Sequence, residues 1–248
     1  DNLTFRPQFE QGLNIDGSTV SIKRPYQLEY DRMKKLEISF EEMEKFCLLC
    51  RSVGLEPVTT CFAREHVGAI RNAGFNTVKV ASYDCASYQM LRELKNTFSR
   101  IIVSTGATFD DEIELASTVL AGASHAFLHC VTIYPTPLNE MHLSRMEYLR
   151  RFTAEVGFSD HSLVSRDGVI GSKAALALGA TSIERHFTLL SPDDTKDGPI
   201  SIGPSELLEL AEFSSMSIED RIDWMNNNVP EWSQTVGQKA RDMTHTEL

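Results

Sequence analysis

The sequence predicts an α/β fold in which parallel strands and helices alternate around a closed barrel, and three observations predict it. From about residue 55 onward, a short β-branched run followed by a stretch of helical period recurs six times. Runs such as Ile101-Ile102-Val103 are apolar on both faces, as parallel strands covered by helices must be. Nearly every run ends in polar or ionisable residues, and in barrels the chemistry collects where the strands end. Six polar strand ends converging on one mouth favour the barrel over an open doubly wound sheet.

The elements follow in order. Residues 1–36 are polar and contain Gly12 and Gly17, so they read as a long loop. A helix over 40–53 starts at Ser39 with Glu42 three residues on, a capping-box pattern in which each residue satisfies the other's free N–H. Strands are expected at Glu56–Phe62, Thr77–Ser82, Ile101–Thr105, Ala126–Thr132, Glu155–His161 and Ser182–Thr188. Helices are expected near 64–73, 86–97, 109–121, 143–152, 167–179 and 204–216, with Gly54, Gly74, Gly122 and Gly179 placed where a helix must stop before the next strand. The polar strand ends are Thr59-Thr60, Lys79 with Ser82, Ser104-Thr105, His129 with Thr132, Ser159-Asp160-His161 and Glu184-Arg185-His186. The chain therefore divides into a lead-in over 1–53, a barrel region over 54–223 and a linker over 224–248.

Composition narrows the function. With 248 residues, 42% hydrophobic and 24% charged, the chain can bury a large core in one domain. A formal charge of -11 argues against nucleic acid or an anionic membrane as partner, since both need a basic face. An anionic substrate would need local positive charge from Lys, Arg or a metal. No run approaches the ~18 apolar residues of a membrane span. Five cysteines at wide spacings fit a reducing cytoplasm better than a disulfide framework. Cys47 and Cys50 form a CxxC within a helix, without the second pair a zinc site needs, and read as core packing.

The strand ends carry a chemical constellation. His161 and His186 close neighbouring strands, which lie about 4.8 Å apart. Alternation points Ser159 with His161, and Glu184 with His186, to one side. Two imidazoles with nearby carboxylates and open water positions suit a divalent ion such as Mn²⁺ or Zn²⁺; each histidine alone reads more readily as a hydrogen-bonded rim residue, and for the pair the two readings stand even. Lys79 sits inside the apolar run Thr-Val-Lys-Val-Ala, an expensive place unless it is paired. With Ser82 and Thr60 nearby it can hold a phosphate or carboxylate. Ser104-Thr105-Gly106 adds hydroxyls and a pliant backbone. Tyr134-Pro135-Thr136-Pro137 reads as a stiffened loop, and Asp197-Gly198-Pro199 either brings a carboxylate to the mouth or makes a turn.

In order along the chain stand T-T-C-F at 59–62, K-V-A-S at 79–82, S-T-G-A at 104–107, H-C-V-T-I-Y-P-T-P at 129–137, G-F-S-D-H-S at 157–162 and G-A-T-S-I-E-R-H-F-T at 179–188. Together these resemble the N-acetylneuraminate (sialic acid) synthase family, which includes the legionaminic and pseudaminic acid synthases and the spore-coat polysaccharide synthases. The resemblance implies a (β/α)8 TIM barrel, with the first two strands missing from this chain, and a cytoplasmic enzyme that condenses phosphoenolpyruvate with an N-acyl-mannosamine-like amino-sugar aldehyde. It implies a divalent metal on His161 and His186, with Mn²⁺ as first choice and Mg²⁺ or Co²⁺ as alternatives. Thr60, Lys79, Ser82 and Ser159 match residues that contact phosphoenolpyruvate. Glu184 matches a residue beside the metal and the sugar, and Tyr134 and Asp197 are further substrate-binding positions, although the family's D-H-x-x-S reads D-G-P-I-S here.

The family's K-F-Q strand, with its phosphate-binding Lys and catalytic Glu, has no match in this chain, nor does its C-terminal antifreeze-like domain. Met243-Thr244-His245-Thr246 looks like the linker before that domain. This stretch is therefore expected to be an incomplete enzyme by itself, and the full-length protein a homodimer. The competing expectation is a non-catalytic or differently specific barrel relative, such as a metal-dependent aldolase or hydrolase.

Overall fold

The computed structural model describes residues 9–13, 19–23, 26–239 and 247. Met243 to Thr246, expected as a linker, lie outside the described residues. The chain forms two compact units, residues 1–45 and 46–248.

In the first unit, strands β1 (Phe9–Leu13) and β2 (Thr19–Lys23) pair antiparallel, and helix α1 runs from Tyr26 to Leu36. The expected long loop is thus a hairpin and a helix. Thr19-Val20-Ser21-Ile22-Lys23 alternates polar and apolar with period two, the signature of a strand with one covered face, which the overall polarity of the segment masks. Helix α2 (Phe40–Ser52) starts on the predicted capping box: the Ser39 N–H donates to Glu42 Oε2 at 2.7 Å, and the Glu42 N–H donates to Ser39 Oγ at 3.2 Å.

The second unit holds six parallel strands in sequential order: β3 (Val58–Thr60), β4 (Thr77–Val80), β5 (Arg100–Ser104), β6 (His125–Cys130), β7 (Val156–Asp160) and β8 (Ile183–Arg185). Between them run α3 (Val67–Asn72), α4 (Tyr88–Thr97), α5 (Asp110–Leu120), α6 (Arg145–Leu149), α7 (Val164–Asp167) and α8 (Ile170–Ala177), followed by α9 (Pro204–Ser214) and α10 (Ile218–Asn228). The helix expected over 167–179 is broken at Gly168, whose φ is +54°. Gly179, at φ +80°, ends α8 in the left-handed conformation that lets the chain turn into β8. Helix α10 crosses the expected start of the linker.

The sheet is curled, and one contact proves it. β4 and β8 are four strand spacings apart, about 19 Å in a flat sheet. Yet Lys79 Nζ on β4 lies 3.2 Å from both carboxylate oxygens of Glu184 on β8. Two side chains cannot bridge that gap unless the strands bend round toward each other. Behind the strands, fully buried Val78, Val80, Ile101, Val103, Phe127 and Phe158 face the helical layer.

Candidate active site

Strand parity sorts the polar ends into two groups. Lys79, Ser159 and Glu184 point into the concave side. Asp160 and Arg185, one residue out of phase, point behind the sheet and pair there, with Arg185 Nη1 2.7 Å from Asp160 Oδ1. Asp160 is completely buried and also accepts from the Ser162 N–H at 2.9 Å and from Ser172 Oγ at 2.6 Å. This lock joins the ends of β7 and β8, the two strands that carry the histidines. His129 belongs to the rear group as well. It stacks on Phe158 with ring centroids 5.7 Å apart, and its Nε2 lies 2.6 Å from the Met141 carbonyl. The expectation that it faces the mouth with Thr132 is therefore corrected: His129 sits one residue from Cys130, which lines the concave side.

On the concave side Lys79, Ser82, Tyr134, Ser159, His161, Glu184 and His186 line one cleft of about 220 Å3. Thr60 lies beside Lys79 in the β3–β4 register but does not line this cleft. Asp197 also lies outside the lining, with Oδ2 3.8 Å from His186 Nδ1. Lys79 is buried in a strand whose four residues are all buried, so its ammonium depends on partners. Glu184 supplies them, and it is itself held by Ser159 Oγ, which donates to Oε1 at 2.8 Å.

The cleft also contains two hydroxyls that the sequence marks only as polar strand ends. Ser104 Oγ and Thr132 Oγ1 are buried and have no hydrogen-bond partner, and both residues line the cleft. A buried hydroxyl without a partner is costly, so these two are poised for an acceptor that enters the cleft. The Gly106 N–H donates to Ser82 Oγ at 3.1 Å, and a Cβ at Gly106 would meet Thr132 Cγ2 at 2.8 Å and Ser82 Oγ at 3.0 Å. Glycine there keeps a cradle of hydroxyls open beside Lys79. The signal in the sequence was S-T-G after a strand, too common to single out by itself. Cys130 lines the same wall, and burial pushes its thiol up to about 11, so it stays protonated and acts as packing.

His161 and His186 meet edge to face, with ring centroids 5.5 Å apart. His161 is buried, and burial first, then the neighbouring His186, push its imidazole down to about 4. It is therefore neutral near pH 7. Its Nδ1 lies 3.3 Å from the Val131 carbonyl and so carries the proton, which leaves the lone pair on Nε2. Tyr134 Oη sits 2.8 Å from that nitrogen. A neutral imidazole with its other nitrogen fixed to a carbonyl is the form in which histidine binds metals. The pair therefore fits as two ligands of one divalent ion. Among the described residues, no group of three or more His, Cys, Asp or Glu side chains is placed to hold a metal, so further positions would fall to water or substrate oxygens.

Residues 16–219 match the family model described as NeuB family. The N,N'-diacetyllegionaminic acid synthase of Campylobacter jejuni is 34% identical over 204 residues, covering 77% of this chain and 60% of that protein. The enzyme of the same name from Legionella pneumophila is 28% identical over 195 residues, covering 74% of this chain and 53% of its own. The chain thus spans between half and two thirds of the length of these relatives. Among solved structures, the Bacillus subtilis spore coat polysaccharide biosynthesis protein spsE superposes with a TM-score of 0.71 at 23% identity, covering 85% of this chain and 59% of that one. At that identity the likeness speaks for the fold.

Proposed function

Since the chain belongs to the NeuB family, we propose that it is the catalytic barrel of a nonulosonic acid synthase, which condenses phosphoenolpyruvate with an N-acyl-mannosamine-like amino-sugar aldehyde. The observation that carries this reading is the single cleft in which a buried lysine, orphaned hydroxyls and two facing imidazoles converge. The chain's similarity to two N,N'-diacetyllegionaminic acid synthases supports it. We further propose an eight-stranded barrel in which two more strands pair with the outer edges of β3 and β8, which have no partner strand among the described residues. The curl that brings Lys79 to Glu184 supports that closure.

In this proposal Lys79, Ser82, Ser104 and Thr132 bind the phosphate and carboxylate oxygens of phosphoenolpyruvate, and Thr60 supports Lys79 from the next strand. Lys79 is held before substrate arrives by the Glu184 carboxylate, which an incoming anion displaces in part. Glu184 then stands between the ammonium and the second substrate, where its carboxylate can take or hold a proton at the aldehyde end. Tyr134 and Asp197 receive sugar hydroxyls. His161 and His186 would hold a divalent ion, Mn²⁺ in the first instance. When bound, it supplies Lewis acidity toward an aldehyde oxygen and a site for water. The bond that forms joins C3 of phosphoenolpyruvate to the aldehyde carbon. Water adds at C2, and the C2–oxygen bond to phosphate breaks, which leaves an α-keto acid and inorganic phosphate.

Phosphate release by the intact protein tests the reading. Release from phosphoenolpyruvate with Mn²⁺ is expected only when an N-acyl hexosamine is also present. Release without the sugar, or none with any N-acyl hexosamine, would point instead to a differently specific or non-catalytic barrel.

A further inference from the structure

We propose that Tyr134 caps the metal-binding nitrogen of His161, so that a divalent cation has to displace its phenol before it can bind. The inference rests on the metal reading above and deepens it. His161 Nδ1 is committed to the Val131 carbonyl, so Nε2 holds the only lone pair the ring can offer. Tyr134 Oη lies 2.8 Å from that atom, within ordinary hydrogen-bond range, and with a lone pair there the phenol is the donor. The two rings also stack, with centroids 4.1 Å apart and 28° between planes. Tyr134 therefore covers the face of His161 while its hydroxyl occupies the nitrogen.

The backbone beneath Tyr134 is anchored while its side chain is free to leave. The Thr136 N–H donates to the His161 carbonyl at 2.9 Å, and Thr136 Oγ1 donates to the Ile133 carbonyl at 2.6 Å. Tyr134 itself is 53% exposed, so the phenol can swing toward solvent without unpacking the loop. In the capped position its ring also meets His186 edge to face, with centroids 6.3 Å apart, so the phenol stands between the two imidazoles and the mouth. Metal loading thereby frees a hydroxyl for the second substrate and sets an order of binding in which the cation precedes the sugar. Tyr134 is a positioning residue for the ion in this account, in addition to its proposed contact with the sugar.

Tyr134→Phe keeps the stacked ring and removes only the donor. Mn²⁺ binding to the 248-residue chain, followed by the electron paramagnetic resonance of the free ion, should tighten by about 2- to 10-fold in the variant, the span a net hydrogen bond is worth in an equilibrium constant. Equal or weaker binding in the variant overturns the cap and leaves the metal reading standing. If neither protein binds Mn²⁺, the metal reading falls and the cap with it. A second measurement needs no metal: the ¹⁵N resonance of His161 Nε2 in the metal-free protein should move on substitution, and an unmoved resonance also overturns the cap.

Discussion

Lys79 shows how a single residue announces a site. A cation within Thr-Val-Lys-Val-Ala is legible as an anomaly in the sequence, and the structure shows what it costs: a buried strand with one carboxylate as partner. Lys79→Met removes a charge-assisted contact to phosphoenolpyruvate and is expected to lower kcat/KM for that substrate by about 10- to 150-fold. Steady-state kinetics with phosphoenolpyruvate varied would check it; an unchanged value would remove Lys79 from the site. His161 carries a pH signature. Its folded value of about 4 lies below the 6.5 of a free imidazole, so the unfolded chain takes up the proton first as pH falls. The stability tied to the neutral ring is complete above about pH 6.5 and is lost toward pH 4. Thermal unfolding should therefore fall more steeply between about pH 7.5 and about pH 4.5 in the wild type than in His161→Gln. Ser104 and Thr132 are legible in the sequence as polar strand ends but not as the unpartnered hydroxyls of the cleft, because a hydroxyl in a strand end carries no mark of whether a partner awaits it.

At the scale of the element, strand parity decides what the polar clusters do. Ser159-Asp160-His161 reads as one cluster, but its members face opposite sides of β7, and the same is true of Glu184-Arg185-His186 on β8. The outer pair, Asp160 with Arg185, ties together the strands that present the inner pair of histidines. Removing one partner leaves a buried charge alone, so Arg185→Met is expected to cost about 3–5 kcal/mol in chemical denaturation. A loss close to zero would show that the pair does not hold β7 to β8. The same counting was available for β6: starting from Thr132, period two places Cys130 and Leu128 inward and His129 outward. The strand positions themselves were legible from their β-branched runs. Their C-terminal ends fall one to three residues short of the expected ones, because the last residues of each run leave the ladder and enter the loops that build the cleft. Helix α2 was legible to its capping residue because a capping box is local chemistry.

For the molecule as a whole, the six-strand repeat was enough to give the α/β class and the order of the sheet, since each unit packs against its sequence neighbour. The hairpin β1–β2 and helix α1 were missed because overall polarity outweighed a short alternation. Among the described residues no strand pairs with the outer edge of β3, and Val58 there is an exposed apolar side chain. Unpaired apolar edges invite association. The 248-residue chain should therefore show a mass that rises with concentration in light scattering, and a constant monomer mass would mean that the edge is protected. In the proposed function His161 and His186 share one cation above a lysine that holds phosphoenolpyruvate. An anomalous-difference map from crystals grown with Mn²⁺ and phosphoenolpyruvate tests it most directly. One manganese peak touching both rings is expected, with the phosphate against Lys79; a peak elsewhere, or density for the ion on only one histidine, would contradict the shared site.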